Sequence, residues 1–191
     1  MKNTKTMVLG AVLTALVFLL QYLGAFVKLG PFAISPVLIP IVIGAATCGV
    51  GVATWLGFVF GAAVLLCGDA AAFLAVTPLG TVITVFCKGI LSGLCAALVY
   101  KLMLNLTKNS LAAVLTAALV CPVVNTGVFL LGCLAFFMEP IAQWTQAAGF
   151  GGDTAGYMIY GLVGGNFIVE VLTSLILSPV VVRLLKIREK A

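Results

Sequence analysis

Charged residues are scarce in this sequence. Only 8% of its 191 residues are Asp, Glu, Lys or Arg, whereas 63% are hydrophobic. A soluble domain carries about 25% charged residues, because charged side chains cover its water-facing surface. So low a charge content excludes a water-soluble globular domain, and apolar stretches recur from one end of the chain to the other. The composition therefore predicts a helical protein that crosses the membrane several times.

The sequence also lacks the residues on which most metal, redox and hydrolytic sites depend. It has no histidine, and none of its six cysteines belongs to a CxxC pair, so we expect no metal site, no thiol-redox chemistry and no cofactor. No HExxH or Gly-x-Ser-x-Gly motif is present, nor is the GxxxxGK(S/T) loop that holds ATP phosphates. We expect no catalytic residues and no nucleic-acid partner, and we interpret the cysteines as packing residues.

Four apolar segments are long enough to cross a bilayer by themselves, at about 20 residues each. They are residues 7–27, 80–103, 111–137 and 157–182. The segment 36–66 is ambiguous, because it is too long for one comfortable span and short for two. A tight turn near the middle of this segment could form at Gly44, Gly49 or Gly51.

The basic residues favour two spans in that ambiguous segment. Six crossings place both chain ends on one side, together with every Lys and Arg except Lys28 and Lys88. These are Lys2, Lys5, Lys101, Lys108, Arg183, Lys186, Arg188 and Lys190. A single span would divide them between the two sides, whereas basic residues concentrate on the cytoplasmic side. We therefore predict an all-α integral membrane protein with six transmembrane helices and both termini in the cytoplasm.

The predicted spans form one domain over residues 1–191 in a cell membrane. They cover residues 7–27, 36–48, 50–66, 80–104, 110–137 and 157–186. The first span follows basic residues, as a signal peptide would, but no small-residue cleavage site follows it, so we expect it to be retained. The predicted outer loops are residues 28–35, 67–79 and 138–156, and they are longer than the inner turns.

Two ionisable side chains fall inside the predicted spans. Lys88 interrupts the apolar run VFCKGILSG in the fourth span, and Glu170 lies in the sixth. A charge at the bilayer centre costs about 2.5–3.5 kcal/mol on insertion scales, so such residues mark candidate functional sites and usually face the protein interior. Asn125 in the fifth span and Asn166 in the sixth lie at similar depths, roughly 13 to 20 Å below the outer helix ends at about 1.5 Å per residue.

Further polar groups share the helix faces of these residues. Thr84 lies four residues before Lys88, on the same face, and Thr126 follows Asn125. One interpretation is an internal Lys88–Glu170 ion pair, with amides that hold the bundle together. The other, which we favour, is a solute cavity open to the outside. The two are compatible if the pair separates when a solute binds.

In the solute-cavity interpretation each polar residue has a role. Lys88 contacts a carboxylate or another electron-rich group of the solute, while Glu170 and the two asparagine amides bind its donors. The predicted substrate-binding residues are Thr84, Lys88, Asn125, Thr126, Asn166 and Glu170. Aromatic residues near the outer helix ends either stack on a ring of the solute or anchor the protein at the membrane surface. They are Phe73, Phe129, Phe136 and Tyr160.

The size, the six-span layout and the outward polar site on the last three spans resemble the substrate-binding S component of energy-coupling factor (ECF) transporters. A local match is the spacing of Ala11 and Ala15 in GAVLTALVF. In that family such a patch on the first helix docks onto a transmembrane coupling subunit. Small residues four apart leave a flat helix face that allows close approach, although ordinary packing inside the bundle is the alternative.

The resemblance implies a function and a set of partners. It implies a membrane-embedded protein that captures a vitamin or related micronutrient from outside, with the outer loops closing over it. It also implies association with a transmembrane coupling subunit and two cytoplasmic ATPases, which drive inward release by toppling the S component in the lipid membrane. The alternative from another class is a stand-alone membrane carrier or a structural membrane protein.

Overall fold

A computed structural model of the chain describes residues 2–24, 28–29, 32–33 and 36–190, and this part is almost entirely helical. The α-helices are α1 (Lys2–Gly24), α2 (Leu38–Thr47), α3 (Val50–Leu66), α4 (Ala71–Val76), α5 (Pro78–Thr107), α6 (Ser110–Phe136), α7 (Met138–Ala147), α8 (Thr154–Gly156) and α9 (Gly165–Lys190). A π-helix, Tyr157–Gly164, joins α8 to α9. Two two-residue strands, β1 (Lys28–Leu29) and β2 (Phe32–Ala33), pair antiparallel. The predicted helical membrane fold class is thus confirmed.

Four helical segments of the described residues are long and apolar enough to cross a membrane. They are Thr4–Gly24, Pro78–Thr107, Ser110–Phe136 and Thr154–Arg183. Helices α2 and α3 have 10 and 17 residues, which corresponds to about 15 and 26 Å at the usual helical rise. The predicted break between them is present at Gly49, whose positive φ of 87° is accessible to glycine at low cost. Six complete crossings remain a prediction.

Local sequence signals explain where the long central helices begin and end. Pro78 occupies the first turn of α5, where its missing N–H costs no hydrogen bond. Lys108 ends α5 in the left-handed conformation. Asn109 then caps α6, because its side-chain oxygen accepts from the backbone N–H of Leu111 at 2.9 Å. The two helices therefore form an antiparallel hairpin with a very short connection.

Helices α3 and α5 pack backbone against backbone. A Cβ on Gly57 would collide with the carbonyl oxygen of Gly89, and a Cβ on Gly89 would collide with that of Gly57. A Cβ on Gly93 would collide with the carbonyl oxygen of Ala53 in the same way. Glycines permit this close helix approach in a bilayer, where apolar side chains gain little by leaving lipid. The contact fixes the rotation of α5 and therefore the direction in which Lys88 projects.

A substitution at this contact is expected to destabilise the fold. Gly89→Leu should lower the midpoint of thermal unfolding by several degrees or prevent folding, because overpacking costs about 1–3 kcal/mol and here the clash is with backbone. Gly127→Ala is the matched control, since a Cβ there meets nothing within 4 Å. Unfolding scans of both variants in lipid nanodiscs test this. An unchanged midpoint for Gly89→Leu would contradict the packing argument.

Two regions differ from the sequence prediction. The predicted outer loops 67–79 and 138–156 contain the helices α4 and α7. The sixth predicted span begins as a π-helix rather than as an α-helix. A π-helix bonds residue i to i+5, so it changes the register between the start of a helix and its later residues. Asn166 and Glu170 follow this segment, and their orientation depends on it.

Candidate functional site

A cavity opens among α1, α3, α4, α5, α6 and α9. It encloses about 580 Å³, including the space at its open mouth, which is within the range of small-molecule sites. Its polar lining residues are Gln21, Asp69, Thr81, Thr84, Lys88, Asn166 and Glu170. The rest of its wall is mainly aromatic and aliphatic. Charged groups from different helices therefore share one apolar-walled space.

A second cavity of about 310 Å³ adjoins the first, because both are lined by Lys88, Phe129 and Asn166. It adds Asn125 and Thr126. The fold thus brings all six predicted substrate-binding residues to two adjoining cavities, although they come from three separate helices. Their binding of a solute stays a prediction.

Glu170 is the centre of a buried hydrogen-bonded cluster. The side-chain amide of Asn166 donates to its Oε1 at 3.0 Å, and the amide of Asn125 donates to its Oε2 at 3.4 Å. Asn166 and Glu170 are four residues apart on α9 and therefore share a face. Glu170 and Asn125 are each only 4% exposed. A buried carboxylate is thus held between two amides from different helices.

The same cluster leaves acceptors unused. The Oδ1 atoms of Asn125 and Asn166 are buried and make no hydrogen bond with the described residues, and the same is true of Thr84 Oγ1. A buried polar atom without a partner costs about 1–3 kcal/mol. The site is therefore suited to a molecule that donates hydrogen bonds to these oxygens.

The Lys88 ammonium group lies among aromatic rings. Its Nζ is 5.3 Å from the centre of the Phe60 ring and 5.5 Å from that of Phe129, within the range of cation–π attraction. Lys88 and Glu170 both line the main cavity. The described residues contain no direct ion pair between them, because the Glu170 oxygens face the two asparagines. The ammonium group therefore remains available to an electron-rich group.

Two polar residues that line the main cavity were not among the predicted binding residues. Gln21 on α1 donates from Nε2 to Asp69 Oδ2, and both side chains line the main cavity. Gln21 is almost fully buried. The hydrogen bond ties the end of α1 to the connection between α3 and α4. No periodicity marks a loop residue such as Asp69, so its place in the cavity could not be predicted from the sequence.

Two of the four aromatic residues named from the sequence line the main cavity, and their stacking on a solute stays a prediction. Phe73 and Phe129 line the main cavity and pack edge-to-face, with ring centres 5.6 Å apart. Phe136 and Tyr160 are 43% and 76% exposed and do not line it. Phe137, which is buried, occupies the wall in place of Phe136. Neighbouring residues in a chain point in different directions, so only one of this pair can face the cavity.

The predicted partner-binding residues lie on the outer surface of the bundle. Ala11 and Ala15 on α1 are both exposed. Ala11 also lines an apolar surface groove between α1 and α3, together with Gly10 and Trp55. Their exposure is inconsistent with the alternative that these alanines pack inside the bundle.

Comparison with known families gives one match. The model of a family described as "ECF transporter, substrate-specific component" matches residues 5–182. Comparison with curated proteins and with solved structures finds no match. The matched range includes both cavities and the exposed alanines of α1. The family is one of transporter components and not of enzymes.

Proposed function

This chain belongs to the family of ECF transporter substrate-specific components, and we propose that it captures a vitamin or related micronutrient outside the cell for ATP-driven uptake. The observation that best supports this proposal is the main cavity. It is lined by an ammonium group, a carboxylate and unused buried acceptors, all from helices that are candidate membrane spans. Charged groups inside a membrane are costly, so their presence there marks a candidate functional site.

The site chemistry supports a solute that has both donors and an electron-rich group. Asn125 Oδ1 and Asn166 Oδ1 accept the donors, which removes the cost of leaving these oxygens unpaired. Lys88 then binds a carboxylate or an electron-rich ring atom. Since the cavity contains charges of both signs, it suits a neutral, zwitterionic or singly anionic solute.

The proposed topology has six crossings, with both termini in the cytoplasm of a bacterial cell. Eight basic residues then share the cytoplasmic side, as the positive-inside rule requires. Helices α2 and α3 form the two short legs of one hairpin. Gln21, near the end of α1, and Asp69, after the end of α3, then lie toward the outside, which is the side from which a nutrient arrives.

The proposed partners are a transmembrane coupling subunit and two cytoplasmic ATPases. The exposed Ala11 and Ala15 face of α1 is the proposed contact with the coupling subunit. The chain itself has no ATP-binding loop in its sequence, so the energy of ATP hydrolysis must reach it through such partners. A stand-alone carrier would need no such contact.

Affinity purification from the native membrane tests the proposal. We expect the chain to co-purify with a coupling subunit and ATPases, and mass spectrometry of the extracted small molecules to identify one vitamin-like solute. The amount of that solute should fall when Lys88 is replaced by Met. A chain that purifies without partners and moves solute without ATP would instead establish the carrier alternative.

A further inference from the structure

An apolar groove lies on the outside of the bundle between α6 and the π-helix with the first turns of α9. It encloses about 830 Å³, including its open side, and no polar atom contributes to its exposed wall. Val123, Ile159 and Ile168 line it and are exposed. Both helical segments belong to candidate membrane spans. The open side of the groove therefore faces the acyl chains of the bilayer.

This groove adjoins the polar site. Thr126 and Val163 line both the groove and the smaller polar cavity. The other side of that cavity carries Lys88, Asn125 and Asn166. The side chains of Thr126 and Val163 therefore lie between the apolar groove and the cavity that holds the unpaired amide oxygens and the ammonium group.

The local backbone explains why the helices leave this space. Pro122 lies inside α6 and cannot donate a hydrogen bond to the preceding turn. Across the groove the chain is π-helical up to Gly164, and π-helical turns are frequent at functional sites. Two irregular helix segments therefore face each other at the level of the polar site.

Gly127 has no packing explanation. A glycine inside a helix costs about 1 kcal/mol relative to alanine. Close approach of another element normally accounts for such a residue, as it does at Gly57 and Gly89. A Cβ on Gly127 would instead meet nothing within 4 Å. Its missing side chain keeps the groove open beside Thr126.

We propose that the solute is amphipathic, with a polar head in the cavity at Lys88, Asn125 and Asn166 and an apolar tail that passes between Thr126 and Val163 into the groove. The head supplies hydrogen-bond donors for the two amide oxygens and an anionic or electron-rich group for Lys88. The tail takes the place of lipid in the groove. This inference rests on the proposed function and names the substrate class of the same site.

Two acylated glycines test the inference, with the full chain in lipid nanodiscs. N-acetylglycine and N-octanoylglycine have the same amide and carboxylate head and differ only in chain length. We expect N-octanoylglycine to bind at least about tenfold more tightly, because burial of each additional methylene favours binding. Titration calorimetry measures both affinities, and empty nanodiscs correct for partition into lipid.

Substitutions of glycine provide the matched variants. Gly127→Leu fills the groove and should abolish the advantage of the octanoyl chain while leaving the affinity for N-acetylglycine unchanged. Gly165→Leu is the control, because a Cβ there also meets nothing within 4 Å and the residue does not line the groove. Thermal unfolding of both variants checks that they fold, and Gly127→Val is the smaller replacement if the leucine variant does not.

Three results would overturn the inference. The first is equal affinity for the two probes, and the second is an octanoyl advantage that persists in Gly127→Leu. The third is octanoyl binding that Lys88→Met leaves unaffected, which would identify the groove as a site for lipid chains alone. If neither probe binds, the stated head-and-tail chemistry is wrong. The proposed function is judged separately, by the co-purified solute and its dependence on Lys88.

Discussion

Lys88→Met is expected to lower the affinity for the co-purified solute by about ten- to a hundredfold, since a hydrogen bond to a charged group contributes about 1.5–3 kcal/mol. Methionine keeps much of the length and apolar character of the lysine chain. It should therefore preserve the packing against Phe60 and Phe129. Only the cation and its donors are removed.

The control for this prediction is Lys101→Met. Lys101 lies on the same helix, α5, but is exposed and lines neither polar cavity. Its replacement should leave the affinity unchanged. Titration of both purified variants with the solute, or with a panel of vitamins, measures the difference. Undiminished affinity of Lys88→Met would show that the ammonium group serves the internal charge balance with Glu170 and does not contact the solute.

Ala15→Trp is expected to abolish uptake while leaving solute binding intact. Ala15 is exposed on α1, one turn from Ala11, and a large ring there prevents the close approach that small residues allow. The substitution faces away from the cavity and should not alter Lys88 or Glu170. Uptake of labelled solute by whole cells and binding to the purified variant give the two readouts.

Leu119→Trp is the matched control for the helix face. Leu119 is 45% exposed on α6, so the same ring is placed on another membrane-facing surface. Uptake should persist in this variant. Loss of solute binding in Ala15→Trp would indicate that the alanine face supports the bundle itself. Normal uptake in Ala15→Trp would place the partner contact elsewhere.

Most of the helix boundaries were predictable from the sequence. Long apolar runs separated by Gly, Pro and charged residues mark where helices begin and end, and the predicted third span, 50–66, coincides with α3. The sequence also predicted that Asn166 and Glu170 share a helix face, because residues four apart do so in any α-helix. The short helices α4 and α7 could not be predicted, since they lie in segments without a long apolar run.

The sequence by itself determined the membrane class, the positions of the long helices and the four polar residues at membrane depth. These properties follow from composition and from one-dimensional periodicity. Only the tertiary structure decided that Lys88 lies near the rings of Phe60 and Phe129, that Glu170 is held by two asparagines, and that an apolar groove adjoins the polar cavity. A repeat of 3.6 residues specifies which side chains share a helix face. How each face is rotated toward its neighbours depends on contacts between distant segments, such as the Gly57–Gly89 approach.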